Sequence, residues 1–266
     1  MRFFERFGST KPIIGVVHLP ALPGYPATPG IEAAIDKALK DLAALEKGGA
    51  HGVLVENEYD RPHRVLSAPE TTAAMTRITR EVAAAARTIV VGAEILLNDP
   101  KASLAVALAA GGSFIRTDYF VDPMTRPEHG GEMAIDPEGL LAYRHTIGGD
   151  DIMILADVQV KYATMLVERS LAQSASLAAE KGADAIVVSG DATGDPPAVD
   201  AVTEAKSGAG RTPVILGSGL DRDNAAALLA VADGAIVGTS LKAGDYIAAD
   251  RVAELVATAR ALETSA

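Results

Sequence analysis

Cysteine and tryptophan are absent from this 266-residue chain, and aromatic residues make up only 4% of it. Without cysteine there is no disulfide and no thiolate zinc site. So few aromatics leave little from which to read a partner. Positive charge is scarce as well: 24 Lys and Arg face 35 Asp and Glu, for a formal net charge of −11. That balance argues against nucleic acid as the main partner, because phosphate backbones demand clustered Lys and Arg. A local cationic pocket can still capture one small anion. Long apolar runs are also missing, since charges or glycines break every stretch short of the roughly 18 residues a membrane span needs. The opening MRFFERFGSTK has no apolar centre of the secretory type. The expectation is a soluble, cytoplasmic protein.

What is present is a rhythm. Hydrophobic residues at 48% and charged residues at 22% describe a globular chain. Short β-branched runs alternate with Ala/Leu-rich helical stretches from end to end. The strands read as IIGVVH (Ile13 to His18), GVLVE (Gly52 to Glu56), IVVGAEI, SFIRTD, IMILADV, DAIVVSG, PVILGSG and DGAIVG. Helices are expected over about Ile31 to Lys47, through SAPETTAAMTRITREVAAAAR, after an Asp99 cap, near Pro137 to His145 and around Glu168 to Lys181. The strands are near-continuous apolar runs, as when both faces of a parallel strand are buried. Eight β–α units without a linker favour one closed (β/α)8 barrel spanning residues 1–266, a fold of about 250 residues. An open doubly wound sheet is the competing arrangement; it requires an early stop or a second domain, and neither is visible.

In such barrels the loops after the seventh and eighth strands frequently bind phosphate. Here they read LGSGLDRDN and VGTSLK. Gly217, Gly219 and Gly238 remove side chains, so backbone N–H groups can approach an anion. Ser218, Thr239 and Ser240 add hydroxyls, and a short helix starting at Thr239 would aim its positive end inward. Lys242, one turn into that helix, points either to the anion or to solvent. The alternative is that the glycines only permit tight turns. Ser189 and Gly190, after the sixth strand, belong to the same rim and would contact the rest of the ligand.

The other strands end in polar residues: His18, Glu56, Asn57, Glu94, Arg116, Asp118, Asp157, Gln159 and Lys161. Such groups on buried strands cost several kcal/mol unless paired or hydrated, so a cleft explains their shared position. Arg116 could neutralise Glu56, and Asp157 with Lys161 is either an ion pair or an acid–base couple. The carboxylates Glu56, Glu94, Asp118 and Asp157 could instead hold magnesium or manganese. His63, His129 and His145 read as surface residues, with His129 the exception because its long loop could close as a lid.

KPIIGVVHLPALPG, GVLVENEYDRP, ETTAAMTRI, LLNDPKASLAVALAAGGSFIR, ADVQVKYA, VVSGDATGDPP and ILGSGLDRDN with ADGAIVGTSLK together resemble the BtpA family. Its members are described as TIM-barrel proteins named for a role in photosystem I biogenesis. The resemblance runs from Lys11 to about Arg251 and implies a phosphate-binding barrel. His18, Glu56, Asn57, Asp157 and Lys161 match the family's motifs. The family's usual Asn is replaced by Glu94 and by Asp118, and its usual histidines by Gln159 and Tyr162. The cleft is therefore more acidic and poorer in imidazole than the family pattern.

Together these features lead to an enzyme acting on a small phosphorylated metabolite, a sugar phosphate or a nucleotide-derived one. Asp157, Glu94 or Lys161 would transfer a proton, His18 would polarise an oxygen, and Asp118 would share a metal or serve as a second acid–base group. The reaction would be that of an isomerase, epimerase or lyase. A non-catalytic binding or assembly factor and a metal-dependent hydrolase are the alternatives. Any homo-oligomer would use helix faces, because a closed barrel has no free strand edge.

Overall fold

The computed structural model describes residues 2–264. Eight strands, β1 (Ile13–His18), β2 (Gly52–Glu56), β3 (Val90–Glu94), β4 (Phe114–Thr117), β5 (Met153–Asp157), β6 (Ala185–Val188), β7 (Val214–Leu216) and β8 (Ala235–Val237), close into a parallel barrel. β1 pairs with both β2 and β8, which closes the ring. Helices return the chain between strands: α2 (Ile31–Gly48), α3 (Pro69–Ala85), α4 (Pro100–Ala110), α5 (Pro137–Thr146), α6 (Leu171–Glu180), α7 (Val199–Ala209) and α8 (Ala225–Val231). They follow a short α1 (Arg2–Phe7) and precede α9 (Ala249–Glu263). No helix among the described residues is long and apolar enough to cross a membrane.

Local chemistry sets the boundaries. Asp99 caps α4 by accepting from the Ala102 amide at 3.0 Å. α6 begins later than its sequence pattern suggests, because Ser170 and Gln173 form a reciprocal capping box at its start. α2 and α4 end at Gly49 and Gly111, both left-handed. The helix expected after β8 is only a 3₁₀ turn, Thr239–Leu241.

Alternation along each strand divides two cores. Val17, Val53, Val55 and Ile115 face outward into the layer beneath the helices. Ile14, Val16, Leu54, Phe114, Met153, Leu155, Val187, Ile215 and Ile236 face inward and fill the barrel. Phe3 and Phe7 of α1 join that inner cluster, with the Phe7 ring centroid 5.5 Å from that of Phe114. Phe7 also lies against Gly52 at the start of β2, so α1 stoppers the barrel at the N-terminal end of its strands.

At the other end, the long loop after β4 does not run free. Met124–Arg126 pairs antiparallel with Gly131–Glu132 and with Thr164–Met165 from the loop after β5. This small three-stranded sheet overhangs the rim. The sequence reading gave that stretch only as a loop.

Candidate active site at the barrel mouth

Inward parity carried one step beyond the inner core assembles a layer with one residue from each strand. His18 is in register with Glu56, and Glu56 with Glu94. Arg116 follows the Ala93–Ile115 pair as Glu94 does. Asp157, Ser189, Gly217 and Gly238 lie two residues past the inward-facing Leu155, Val187, Ile215 and Ile236. The five positions from β1 to β5 are charged or ionisable. The β7 and β8 positions have no side chain, and that asymmetry hollows out the mouth. A cavity of about 750 Å³ opens there, with Val16 and Ile236 in its lining beside His18, Glu56, Glu94 and Arg116.

The two glycines are sterically required. A Cβ on Gly238 would lie 2.8 Å from Cε1 of His18, and one on Gly217 would lie 3.0 Å from Nη2 of Arg116. Gly217 to Gly219 and Gly238 to Ser240 line the same cavity. The amides of Thr239 and Ser240 start the 3₁₀ turn, ahead of its first internal bond from Leu241 N to Gly238 O.

The serine hydroxyls, expected to face the anion, brace the loops instead. Ser218 Oγ donates to the Asp195 carbonyl at 2.8 Å and accepts from the Gly190 amide at 2.9 Å. Ser240 Oγ donates to the Leu220 carbonyl at 2.5 Å. Gly190 thus acts by clamping the seventh loop.

Arg116 and Asp157 form a buried bidentate pair, Nε to Oδ2 at 2.7 Å and Nη2 to Oδ1 at 2.9 Å, and Ser189 Oγ donates to Oδ1 at 3.1 Å. Both Asp157 oxygens are occupied, so Asp157 holds Arg116 in place and is not available as the acid–base group suggested by sequence. Glu56 is not the partner of Arg116. Burial works against the Arg116 cation, yet Asp157 and Glu94 outweigh it and hold its pKa well above the ordinary value.

Three carboxyls remain for chemistry. Glu94 is 2% exposed, and its Oε2 has no hydrogen-bond partner. Burial pushes its pKa well up against the pull of Arg116, and Asp118 and Glu56 reinforce the rise. Burial, with the Glu58 charge beside it, pushes Glu56 up to about 7. Asp118 keeps some exposed surface, but the protein around it and the Asp157 charge push its carboxyl up to about 6. His18 is moved the other way, to about 3, by burial and then by Lys242, Lys37, Lys161 and Arg116. At neutral pH these influences favour the neutral imidazole.

Two candidates point elsewhere. Asn57 is buried, with Nδ2 donating to Asp60 at 3.0 Å and Oδ1 accepting from the Leu96 amide at 2.8 Å. It ties the second loop to the third. Gln159 has φ 47°, and its Nε2 donates to the Arg169 carbonyl and to Ser174 Oγ of α6, both at 3.1 Å. The strand has ended there, and the left-handed backbone turns the side chain out toward α6. Lys161, by contrast, lines the cavity.

The carboxylates do not suit magnesium or manganese. Among the described residues no group of three or more His, Asp or Glu is disposed to hold a metal ion. Asp157 is consumed by its bidentate pair with Arg116, which removes it from any set of metal ligands.

The sequence does not single out His63, Arg126 or Glu128 as site residues. His63 lines the cavity although it reads as a surface residue. Arg126 and Glu128 reach the rim on the overhanging sheet, with the Arg126 guanidinium 5.4 Å from the Tyr162 ring. His129 lines the cavity as well, whereas His145 sits in the open against Asp150. Lys242 contacts His18 directly. For Arg126 and Glu128 the available signal was the cluster of charges in the loop that follows β4.

The model of the BtpA family matches residues 9–261 of this chain. The photosystem I biogenesis protein BtpA of Synechocystis is 37% identical over 248 residues, covering 91% of this chain and 84% of that protein. Among solved structures, a thiamine phosphate pyrophosphorylase of Pyrococcus furiosus superposes with a TM-score of 0.62 at 17% identity, covering 95% of this chain and 96% of that one. The N-(5'-phosphoribosyl)anthranilate isomerase of the same organism superposes at 0.58 and 13%, covering 94% and 99%. These structural likenesses establish the barrel.

Proposed function

The chain belongs to the BtpA family, and we propose that it is an enzyme transferring a proton on a small phosphorylated metabolite, of the sugar-phosphate or nucleotide-derived class. One observation carries this reading. Glu94 Oε2 is buried without a partner, in the mouth of a cavity whose far wall is two glycine turns. An orphaned buried oxygen costs roughly 1–3 kcal/mol in a protein that uses it only structurally. A substrate hydroxyl or carbonyl seated on it removes that cost. With the phosphate at the amides of Thr239 and Ser240 and the backbone of Gly217 to Gly219, the carbon skeleton would lie over Glu94, Glu56 and Asp118.

The division of labour follows from the environments. Glu94, held neutral by burial, would donate a proton or a hydrogen bond. Glu56, pushed up to about 7, titrates at the pH where a general base works best. Arg116, immobilised by Asp157, supplies fixed positive potential at the base of the site. These roles fit an isomerase or epimerase, and a lyase would use the same groups with Lys161 as the further amine. The enzymes superposed on this fold have phosphorylated compounds in their names, which supports the substrate class and says nothing of the reaction. The name of the Synechocystis relative favours a second reading, a ligand-binding assembly factor.

Proton abstraction is tested by incubating the full chain in D2O with a panel of three- to six-carbon sugar phosphates and following the C–H signals by NMR. At least one member should exchange a carbon-bound proton, and Glu56→Gln, which removes the general base, should slow that exchange 100-fold or more. It should leave the affinity for inorganic phosphate within twofold. Phosphate binding without exchange of any panel member would favour the assembly-factor reading; no phosphate binding would overturn both.

A further inference from the structure

His18 and Lys242 are far apart in the sequence yet meet at the cavity wall. Lys242 Nζ lies 2.5 Å from Nδ1 of His18. Burial lowers the Lys242 pKa, but an ordinary lysine starts about four pK units above imidazole and His18 is itself pushed down to about 3, so the shared proton stays on the amine and Nδ1 is the acceptor. An imidazole that accepts at Nδ1 carries its own proton on Nε2. That edge lies at the cavity: a Cβ on Gly238 would sit 3.0 Å from Nε2, in the turn that lines it. Glu56 Oε1 is 3.9 Å from Nε2, beyond hydrogen-bond range. The Nε2–H therefore has room for a substrate oxygen between Glu56 and the Gly238 turn.

Lys242 is built to stay in place. It is half-buried at the edge of a two-stranded antiparallel pair, Lys242–Ala243 with Tyr246–Ile247. That pair is anchored by the Ile247 amide donating to the buried Asp41 at 2.9 Å, while Asp41 also binds Lys37. The Tyr59 ring lies 5.5 Å from the ammonium, and Arg251 binds the Lys242 carbonyl. A lysine serving only solubility would need none of these contacts.

We propose that Lys242 is a positioning residue that locks His18 in the Nε2–H tautomer, so that the neutral imidazole donates to a substrate oxygen beside the Gly238 turn. This rests on the reading of the cavity as a proton-transfer site. The groups facing His18 agree with it: Lys242, Lys37, Lys161 and Arg116 all oppose an imidazolium, and the acid Glu56 stays 3.9 Å from Nε2. A fixed neutral donor stabilises a developing oxyanion without giving up its proton.

Two-bond ¹H–¹⁵N spectra of the uniformly labelled full chain report the tautomer directly, with His18→Gln assigning the signal among five histidines. The wild type should show Nε2–H with bare Nδ1 from pH 5 to 8, and inorganic phosphate should shift the Nε2 resonance. Lys242→Met should release His18 into a mixture of tautomers that titrates closer to neutrality, and Lys242→Arg should restore the wild-type pattern. In the deuterium-exchange assay Lys242→Met should lower kcat at least tenfold with KM within threefold. An Nδ1–H tautomer or imidazolium in the wild type, or a Lys242→Met spectrum identical to it, would overturn the proposal. The expected spectra in a chain that exchanges no substrate proton would sink the enzyme reading and leave the Lys242–His18 assignment standing.

Discussion

A carboxyl such as Glu94 makes the molecule less stable than it could be, and pH exposes the deficit. Its pKa is raised on folding, as are those of Glu56 and Asp118. Groups raised in this way contribute stability that is fully present below their unfolded values, near 4.5 for Glu and 3.8 for Asp. The contribution is lost as pH climbs through about 7 for Glu56 and about 6 for Asp118. Glu94→Gln removes one such liability. It should raise stability by about 0.5–2 kcal/mol at pH 8 and change it little at pH 5, as urea unfolding at the two pH values will measure. The strand-end residues themselves were legible, because a polar residue that keeps inward parity after an apolar run has nowhere to go but the mouth. His18, Glu56, Glu94, Arg116 and Asp157 all fit that pattern. What each does was not legible, since it depends on partners brought from distant chain. Asp157 is neutralised by Arg116 from the neighbouring strand, and Gln159 is turned away by one left-handed residue.

Among the elements, the turns after β6, β7 and β8 form one mechanical unit. Ser218 clamps the sixth and seventh loops, and Ser240 ties the eighth loop to the seventh. Gly219 is its tightest point: φ is +69°, and an added Cβ would collide with the Pro196 backbone. Gly219→Ala should therefore cost about 1 kcal/mol or more from the backbone conformation alone. Calorimetric titration with inorganic phosphate should show at least tenfold weaker binding. The strands and most helices could be read from periodicity and caps. The sheet over the rim could not, because its strands are only two or three residues long and pair across loops from different β–α units. Nor could the fate of Lys242. A helix after Gly238 would leave its direction open, but the 3₁₀ turn ends at Leu241 and Lys242 is extended (φ −83°, ψ 139°), which lets the side chain reach back to His18.

Across the whole molecule, the inner core and the reactive layer are stacked along one axis, with α1 at the base. Phe7 is buried against Phe114, so Phe7→Ala should destabilise the barrel by about 3–5 kcal/mol. Phosphate affinity at the far end should stay within twofold, and parallel melting and titration experiments separate the two effects. The charge of the sequence, acidic overall, carries no sign that the barrel's axis runs from phenylalanine to carboxylate. The stopper has a further implication for traffic. The packed inner layer and α1 leave no passage along the axis, so whatever enters between the overhanging sheet and the glycine turns must back out the same way before the next molecule arrives. Tethering the protein to a support by the α1 face should leave that passage clear, whereas a tether on the sheet carrying Arg126 should throttle entry and exit together.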